Sequence, residues 1–293
     1  MSRRRRDAPL PVRDGVGPAR LRVRGGRVAA ELHARFGDRA AAKVAAGEVV
    51  CADGAIVDET TELAAGAVVF LYRDLPEETP VPFALPVLHR DRDLVVVDKP
   101  HFLATMPRGR HVTQTALVRL RRSLELPELA PAHRLDRLTA GVLVFTTRRE
   151  VRGAYQMLFA RGRVRKTYLA HSAGTPTRAL PTVLRSRIIK RRGHLQAVEE
   201  HGEPNAETRV QALGEGRYRL QPITGRTHQL RVHLSSIGVP ITGDPLYPEI
   251  LEVAADDFTT PLQLLARTVE FDDPLSGQRR RFVSERTLAG PTP

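Results

Sequence analysis

The chain has 293 residues, of which 41% are hydrophobic and 27% charged, the balance of an ordinary soluble globular protein. Its 46 Lys and Arg residues outnumber 33 Asp and Glu residues and give a net charge of +13, which favours a polyanionic partner such as nucleic acid. A lone cysteine, Cys51, excludes an internal disulfide and a thiolate metal cluster. The sequence has no apolar run long enough to predict a membrane span.

The N-terminal quarter predicts a basic arm followed by a small α/β module. Residues 1–19 contain a run of four arginines with no apolar stretch behind it, so we expect a disordered arm, a cytoplasmic protein and no secretory signal. The arm is interpreted as a solvated tail or, alternatively, as a weak RNA tether. Residues 20–75 predict the module, which is a possible RNA-binding domain. Its expected elements are helices at 29–36 and 40–46, with Gly47 as a C-cap, a hairpin of 48–51 with 55–57, and a strand at 68–72.

The remaining chain predicts a linker, a large domain and a tail. Four prolines punctuate the linker at 76–86, and the domain and tail are expected at 87–285 and 286–293. Helices are predicted at 114–124, 150–160 and 227–237, and strands at 94–97, 141–146, 167–171, 208–213, 217–223, 268–271 and 281–283. This order favours an α+β fold with a mixed, mainly antiparallel central sheet and flanking helices.

Three segments carry candidate chemistry. The first, Ala-His-Arg-Leu-Asp-Arg-Leu-Thr-Ala-Gly at 132–141, runs into a predicted buried strand and puts Asp136 on a loop at a sheet end. A structural ion pair with a neighbouring arginine is the alternative for that carboxylate. The second segment, 165–170, holds Tyr168 in a strand, where a core or surface role is the usual one. In the third, 224–233, Thr227 is predicted to cap a basic helix.

Together these segments resemble the motifs of the RluA family of pseudouridine synthases, in the family's order and approximate spacing. Further matching segments are 97–100, 238–247, 264–267 and 273–277, so the resemblance covers residues 87 to 284. It implies the pseudouridine synthase fold and the isomerisation of uridines in ribosomal or transfer RNA. No cofactor and no metal are expected, and the protein is expected to be a monomer.

The resemblance also implies roles for individual residues. Asp136 matches the catalytic aspartate, which either attacks C1′ or removes the C2′ proton while the N1–C1′ bond is exchanged for a C5–C1′ bond. Tyr168 matches the tyrosine that stacks on uracil, and Arg231 matches the arginine expected to hold the aspartate through a bidentate pair. Arg134 is expected to enter the void in the RNA helix when the target nucleotide flips out. The other expected RNA-binding residues are Arg137, Lys166, Arg226 and His228, with a structural role as the alternative for Lys166 and Arg226.

Several features depart from the family pattern or leave alternatives open. Ala140 stands where the family usually has serine, and residues 101–103 are His-Phe-Leu where a small residue and glycine are common, which bears on target identity. The basic run 185–192 predicts a solvated hairpin, with RNA contact as the alternative. Two alternatives to a pseudouridine synthase stay open. The protein would be a non-catalytic RNA-binding or ribosome-assembly factor, or a nucleoside or glycoside hydrolase, which would need a second carboxylate.

Overall fold

The structure is a computed structural model that describes residues 9–75 and 77–288. Contacts divide the chain into two units. The first runs up to Glu77 and includes Arg121–Pro127, and the second comprises Glu78–Leu120 and the chain from Glu128 onward. Among the described residues, no helix combines the length and the apolar character needed to cross a membrane.

The first unit contains two short helices and small antiparallel sheets. Its elements are β1 (Ala19–Arg22), β2 (Gly26–Arg27), α1 (Val28–Phe36), α2 (Asp38–Ala45), β3 (Val50–Cys51), β4 (Glu62–Leu63) and β5 (Val68–Leu71). The sheets have the orders β1-β5-β3 and β2-β4. Val28 and Leu32 on α1, and Ala40 and Val44 on α2, bury their side chains in one core, because residues four apart share a helix face.

Two details of this unit bear on the sequence predictions. Gly47 follows α2 with φ 68° and the two hydrogen bonds of a Schellman motif, from Gly47 N–H to Val44 O and from Glu48 N–H to Lys43 O, as the sequence predicted. The predicted disordered arm differs from the structure within residues 9–19, because Arg13 lies over the Tyr72 ring and the Tyr72 hydroxyl donates to Pro11 O. Residues 1–8 of that arm lie outside the described chain.

The second unit is built on an eleven-stranded sheet. Its elements are β6 (Val87–Arg90), β7 (Leu94–Lys99), α3 (Ala116–Leu124, whose end belongs to the first unit), β8 (Ala130–Pro131), β9 (Ala140–Thr146), α4 (Arg149–Ala160), β10 (Arg165–His171), β11 (Thr182–Ile189), β12 (Val198–Glu200), β13 (Ala206–Gly214), β14 (Arg217–Pro222), α5 (Gln229–Ser236), β15 (Leu264–Asp272) and β16 (Arg279–Val283). The main order is β12-β11-β13-β14-β10-β15-β9-β7-β6, with β16 beside β15 and β8 beside β9. All pairs are antiparallel except β15 with β9, which confirms the predicted mixed, mainly antiparallel sheet.

The parallel junction between β9 and β15 depends on a glycine. Gly141 pairs with Ala266, and a Cβ on Gly141 would lie 2.3 Å from the Ala266 carbonyl oxygen. Its φ of 111° is also a value that residues with a side chain rarely adopt. The preceding residue, Ala140, is fully buried. The strand that follows the Asp136 loop is therefore fixed at its first residues.

The predicted linker also differs from the structure. The Glu78 carboxylate accepts hydrogen bonds from the backbone N–H groups of Val112, Thr113 and Gln114, and Arg119 donates to Val81 O. Burial alone would raise the pKa of Glu78, but these donors lower it overall. Residues 78–83 are thus packed within the second unit, since their polar groups are used there.

Of two further segments, the basic run at 185–192 agrees with its prediction and the predicted tail differs from it. The basic run at 185–192 lies in β11 and the turn towards β12, and two of its members form ion pairs, Arg185 with Glu207 and Arg191 with Glu200. The predicted tail is bound at its first residue, where Arg286 donates to the carbonyl oxygens of Ala84 and Asp98. Residues 289–293 lie outside the described chain.

Candidate active site

A cavity of about 380 Å³ lies between the Asp136 loop, strand β10 and the start of α5, within the size range of small-ligand sites. It brings together the three predicted catalytic residues, Asp136, Tyr168 and Arg231. The predicted RNA-binding residues that also line it are Arg134, Lys166, Arg226 and His228. Arg137 lines a different cavity, of about 530 Å³, so the structure separates it from the other seven predicted residues.

The Asp136 loop is held through its backbone by side chains from residues 99–105. The buried Lys99 ammonium donates to Arg137 O at 3.2 Å, and His101 Nδ1 lies 2.7 Å from Leu138 O. Thr105 both donates to Leu135 O and accepts from Leu135 N–H. The carbonyls or amides of the residues on both sides of Asp136 are therefore fixed, while its carboxylate stays 26% exposed.

His101 changes the interpretation of the atypical loop at 101–103. Because a carbonyl can only accept, His101 Nδ1 carries the proton in its bond to Leu138 O. Burial lowers the pKa of His101 to about 4, so the ring is neutral at physiological pH. Since His101 contacts the Asp136 loop, the departure from the family pattern at residues 101–103 bears on the position of the Asp136 carboxylate.

Tyr168 points into the cavity from an irregular place in β10. The pairing of β10 with β15 changes register between Thr167 and Tyr168, and such bulges re-aim side chains next to functional sites. Burial, followed by the negative charge of Asp136, raises the pKa of Tyr168 well above its ordinary value. The side chain is therefore a neutral phenol beside a carboxylate.

Arg231 has a different principal partner from the predicted one. Its guanidinium forms the bidentate pair with Asp244, Nε to Oδ2 at 2.7 Å and Nη2 to Oδ1 at 2.5 Å, whereas Nη1 lies 3.8 Å from Asp136 Oδ2. Burial alone would lower the pKa of Arg231, but Asp244 and Asp136 raise it. The predicted bidentate hold of Arg231 on Asp136 is thus corrected, because the fully buried Asp244 carboxylate takes both fork positions.

The start of α5 also differs from its prediction. Helix α5 begins at Gln229 after His228, whose φ is 58°, and no side chain caps it. The exposed Thr227 therefore lies outside the helix. The buried Gln229 amide instead ties the turn to the sheet, accepting from Arg226 N–H and the Thr224 hydroxyl and donating to Glu207 O.

Three histidines in the Asp136 loop and the 228–233 segment have separate protein partners. His133 Nε2 accepts from Val144 N–H, His228 contacts the Tyr247 hydroxyl, and His233 contacts the Thr208 and Ser186 hydroxyls. Within residues 9–75 and 77–288, no group of three His, Cys, Asp or Glu side chains is arranged to hold a metal ion.

Sequence reasoning missed four residues that support the site, namely Lys99, Thr105, Gln229 and Asp244. Lys99 and Asp244 lie in segments that the family resemblance had marked, at 97–100 and 238–247. A buried charge in a motif is a usable signal, because such a group must have a partner. Thr105 carried no comparable signal.

Comparisons with known proteins show the family to which the chain belongs. A family model described as RNA pseudouridylate synthase matches residues 93–236. The chain is 35% identical over 185 residues to human pseudouridylate synthase RPUSD2, covering 61% of this chain but 33% of that protein. It is 32% identical over 207 residues to the dual-specificity RNA pseudouridine synthase RluA of Salmonella typhi, covering 68% of this chain and 91% of the relative.

A solved structure extends the likeness to three dimensions. The human RNA pseudouridylate synthase domain containing 4 superposes with a TM-score of 0.54 at 28% identity, covering 69% of this chain and 88% of that chain. The fold is that of the pseudouridylate synthases. The chain belongs to the RluA family of RNA pseudouridine synthases, as the sequence predicted.

Proposed function

We propose that this protein converts specific uridines of ribosomal or transfer RNA to pseudouridine in the cytoplasm, with Asp136 as the catalytic carboxylate. The observation that carries the proposal is the convergence of Asp136, Tyr168 and Arg231 on one cavity in a chain of this family. The net charge of +13 suits a polyanionic substrate.

The reaction exchanges one bond to the ribose for another. The N1–C1′ bond breaks, the uracil turns within the cavity, and a C5–C1′ bond forms while C5 loses a proton and N1 gains one. Asp136 assists by attacking C1′ or by removing the C2′ proton. The Arg231 guanidinium lies 3.8 Å from Asp136 Oδ2, and the neutral Tyr168 ring offers a face on which uracil stacks.

Access to C1′ requires the target nucleotide to leave its helix. Arg134 is exposed at the cavity, in a position to fill the vacated space. Lys166 and Arg226 also line the cavity and can contact phosphates of the displaced strand. Arg137 would contact RNA outside the cavity.

The composition of the cavity favours isomerisation over hydrolysis. Asp136 is the only carboxylate among the described residues that line it, whereas most glycoside hydrolases use two. The non-catalytic alternative is disfavoured because all three predicted catalytic side chains are present.

Mapping pseudouridines in total RNA tests the proposal. Cells with the gene, without it, and with only the Asp136→Asn form are compared. A site that is lost in both defective strains and present in the first supports the enzyme and identifies its RNA. If no site in any RNA class changes, or if the Asp136→Asn form retains the site, the proposal fails.

A further inference from the structure

His228 lines the Asp136 cavity and its backbone is set for that position. Its φ of 58° lies in the left-handed region, which His, Asn and Asp adopt more readily than other residues with a side chain. Its Nδ1 lies 2.9 Å from the Tyr247 hydroxyl oxygen. This contact determines which ring nitrogen carries the proton.

The Tyr247 hydroxyl has one proton to donate and two lone pairs to accept with. The Ala197 N–H donates to it at 2.7 Å, and the Ala197 carbonyl oxygen lies 2.9 Å away as an acceptor. Ala197 is buried, so its carbonyl would lose this donor if the hydroxyl proton turned towards His228, which is costly for a buried group. When the Tyr247 hydroxyl donates its proton to Ala197 O, it can only accept a hydrogen bond from His228, and Nδ1 must be the protonated nitrogen.

The other ring nitrogen is then a free acceptor. Burial lowers the pKa of His228 to about 4, so Nε2 carries a lone pair at physiological pH. Among the described residues, Nε2 has no hydrogen-bond partner. The charged side chains Arg134, Lys166 and Arg226 of the same cavity only donate, so His228 adds an acceptor to that of the Asp136 carboxylate.

We propose that Tyr247 and Ala197 hold His228 in the Nδ1–H tautomer, so that Nε2 accepts a hydrogen bond from the target uridine. This inference rests on the proposed function for its substrate. A uridine offers two donors, the uracil N3–H and the ribose 2′-hydroxyl. An acceptor that faces N3 selects uridine over cytidine, whose N3 carries no hydrogen, and His228 is then a specificity-determining residue.

The tautomer can be tested without any RNA. The protein is labelled with ¹⁵N-histidine, and the His228 ring signals are identified among those of the ten histidines by their loss in His228→Asn. A protonated Nδ1 and an unprotonated Nε2 are expected at pH 7. A proton on Nε2 overturns the proposal, whether or not the protein modifies RNA.

The acceptor role is tested with two matched variants on a transcript that carries the mapped site. Asn keeps an N–H near the Nδ1 position and lacks the Nε2 acceptor, whereas Gln places its amide near Nε2. The single-turnover rate is expected to fall about 3- to 10-fold in His228→Asn and to stay within about 2-fold in His228→Gln, with thermal unfolding showing that both variants are folded.

Each outcome of this comparison decides one claim. Equal loss in both variants, or no loss in His228→Asn, overturns the acceptor role. Failure of the unsubstituted protein to form pseudouridine overturns the proposed function instead, and the NMR result still stands on its own. Affinity for the same RNA with 2′-deoxyuridine at the target identifies the donor. If the loss of affinity in His228→Asn disappears with the deoxy substrate, the 2′-hydroxyl is the donor. If the loss persists, the uracil N3–H is the donor.

Discussion

The Asp136 loop and the first turns of α5 form two sides of one cavity, but different groups hold them. The loop is fixed through its backbone by Lys99, His101 and Thr105. Helix α5 is fixed through its own side chains, above all the bidentate pair of Arg231 with Asp244. A reactive side chain held through its backbone remains free for chemistry, whereas the side chains of α5 are used for structure.

The comparison teaches where the stability of the site resides. Within residues 9–75 and 77–288, the Asp136 carboxylate has one ion-pair neighbour, at 3.8 Å, and can lose its charge with little structural effect. The Asp244 carboxylate accepts from Arg231 and from the backbone N–H groups of Leu246 and Tyr247. Removing its charge leaves the buried guanidinium with only the more distant Asp136 carboxylate, at 3.8 Å.

The largest expected effect is therefore a contrast between two aspartate substitutions. Asp244→Asn should lower the free energy of unfolding by about 3 to 5 kcal/mol, the cost of breaking a buried pair, and should also abolish activity by displacing Arg231. Asp136→Asn should abolish activity while changing stability by less than about 1 kcal/mol. Urea denaturation and pseudouridine formation measure both. Equal losses of stability would contradict the distinction between the two sides.

A second test concerns the backbone hold on the loop. Thr105→Val removes the hydroxyl that serves both the N–H and the carbonyl of Leu135, and should cost about 1 to 3 kcal/mol. It should also lower kcat about 10-fold through misplacement of Asp136, with RNA affinity unchanged.

The matched control is Thr146→Val, at the opposite end of β9. Thr146 is fully buried and its hydroxyl donates to Ala130 O at 3.2 Å, so its replacement should cost a similar free energy of unfolding and leave kcat unchanged. If both variants lose activity in proportion to stability, the Thr105 contact has no special role in positioning Asp136.

The strands were also unequally predictable from the sequence. The β-branched run of β7 and the apolar run of β9 indicated buried strands, and the motif around Asp136 located the loop between β8 and β9. Short strands with few apolar residues, such as β1 and β12, gave no such signal, because edge strands need not alternate strongly.

The partners inside the site were beyond sequence reasoning for a different reason. The pairing of Arg231 with Asp244 depends on how α5 and the following loop pack. Two acidic residues were available to one guanidinium, and only the fold decides between them. Thr227 likewise is a residue type that often caps helices, but the buried Gln229 amide forms the hydrogen bonds at that turn.

The last expected effect is an acid sensitivity on the α5 side. His233 is 1% exposed and connects α5 to β13 and β11 through the hydroxyls of Thr208 and Ser186. Burial lowers the pKa of His233 to about 4, against about 6.5 in an unfolded chain. Between these values the unfolded chain binds a proton that the folded chain does not. His233 alone should therefore lower the free energy of unfolding by up to about 3 kcal/mol as pH drops from about 6.5 to about 4.

His233→Gln removes this titration, so its free energy of unfolding should depend less on pH across that window, whatever its stability at neutral pH. The matched control, His201→Gln, alters an exposed histidine and should keep the dependence of the unsubstituted protein. Urea denaturation at a series of pH values measures the slopes. If the slope of His233→Gln equals that of the unsubstituted protein, protonation of His233 does not weaken the hold of α5 on the sheet. The acid sensitivity would then have to come from other buried histidines, such as His101 on the loop side, whose pKa is also lowered by burial.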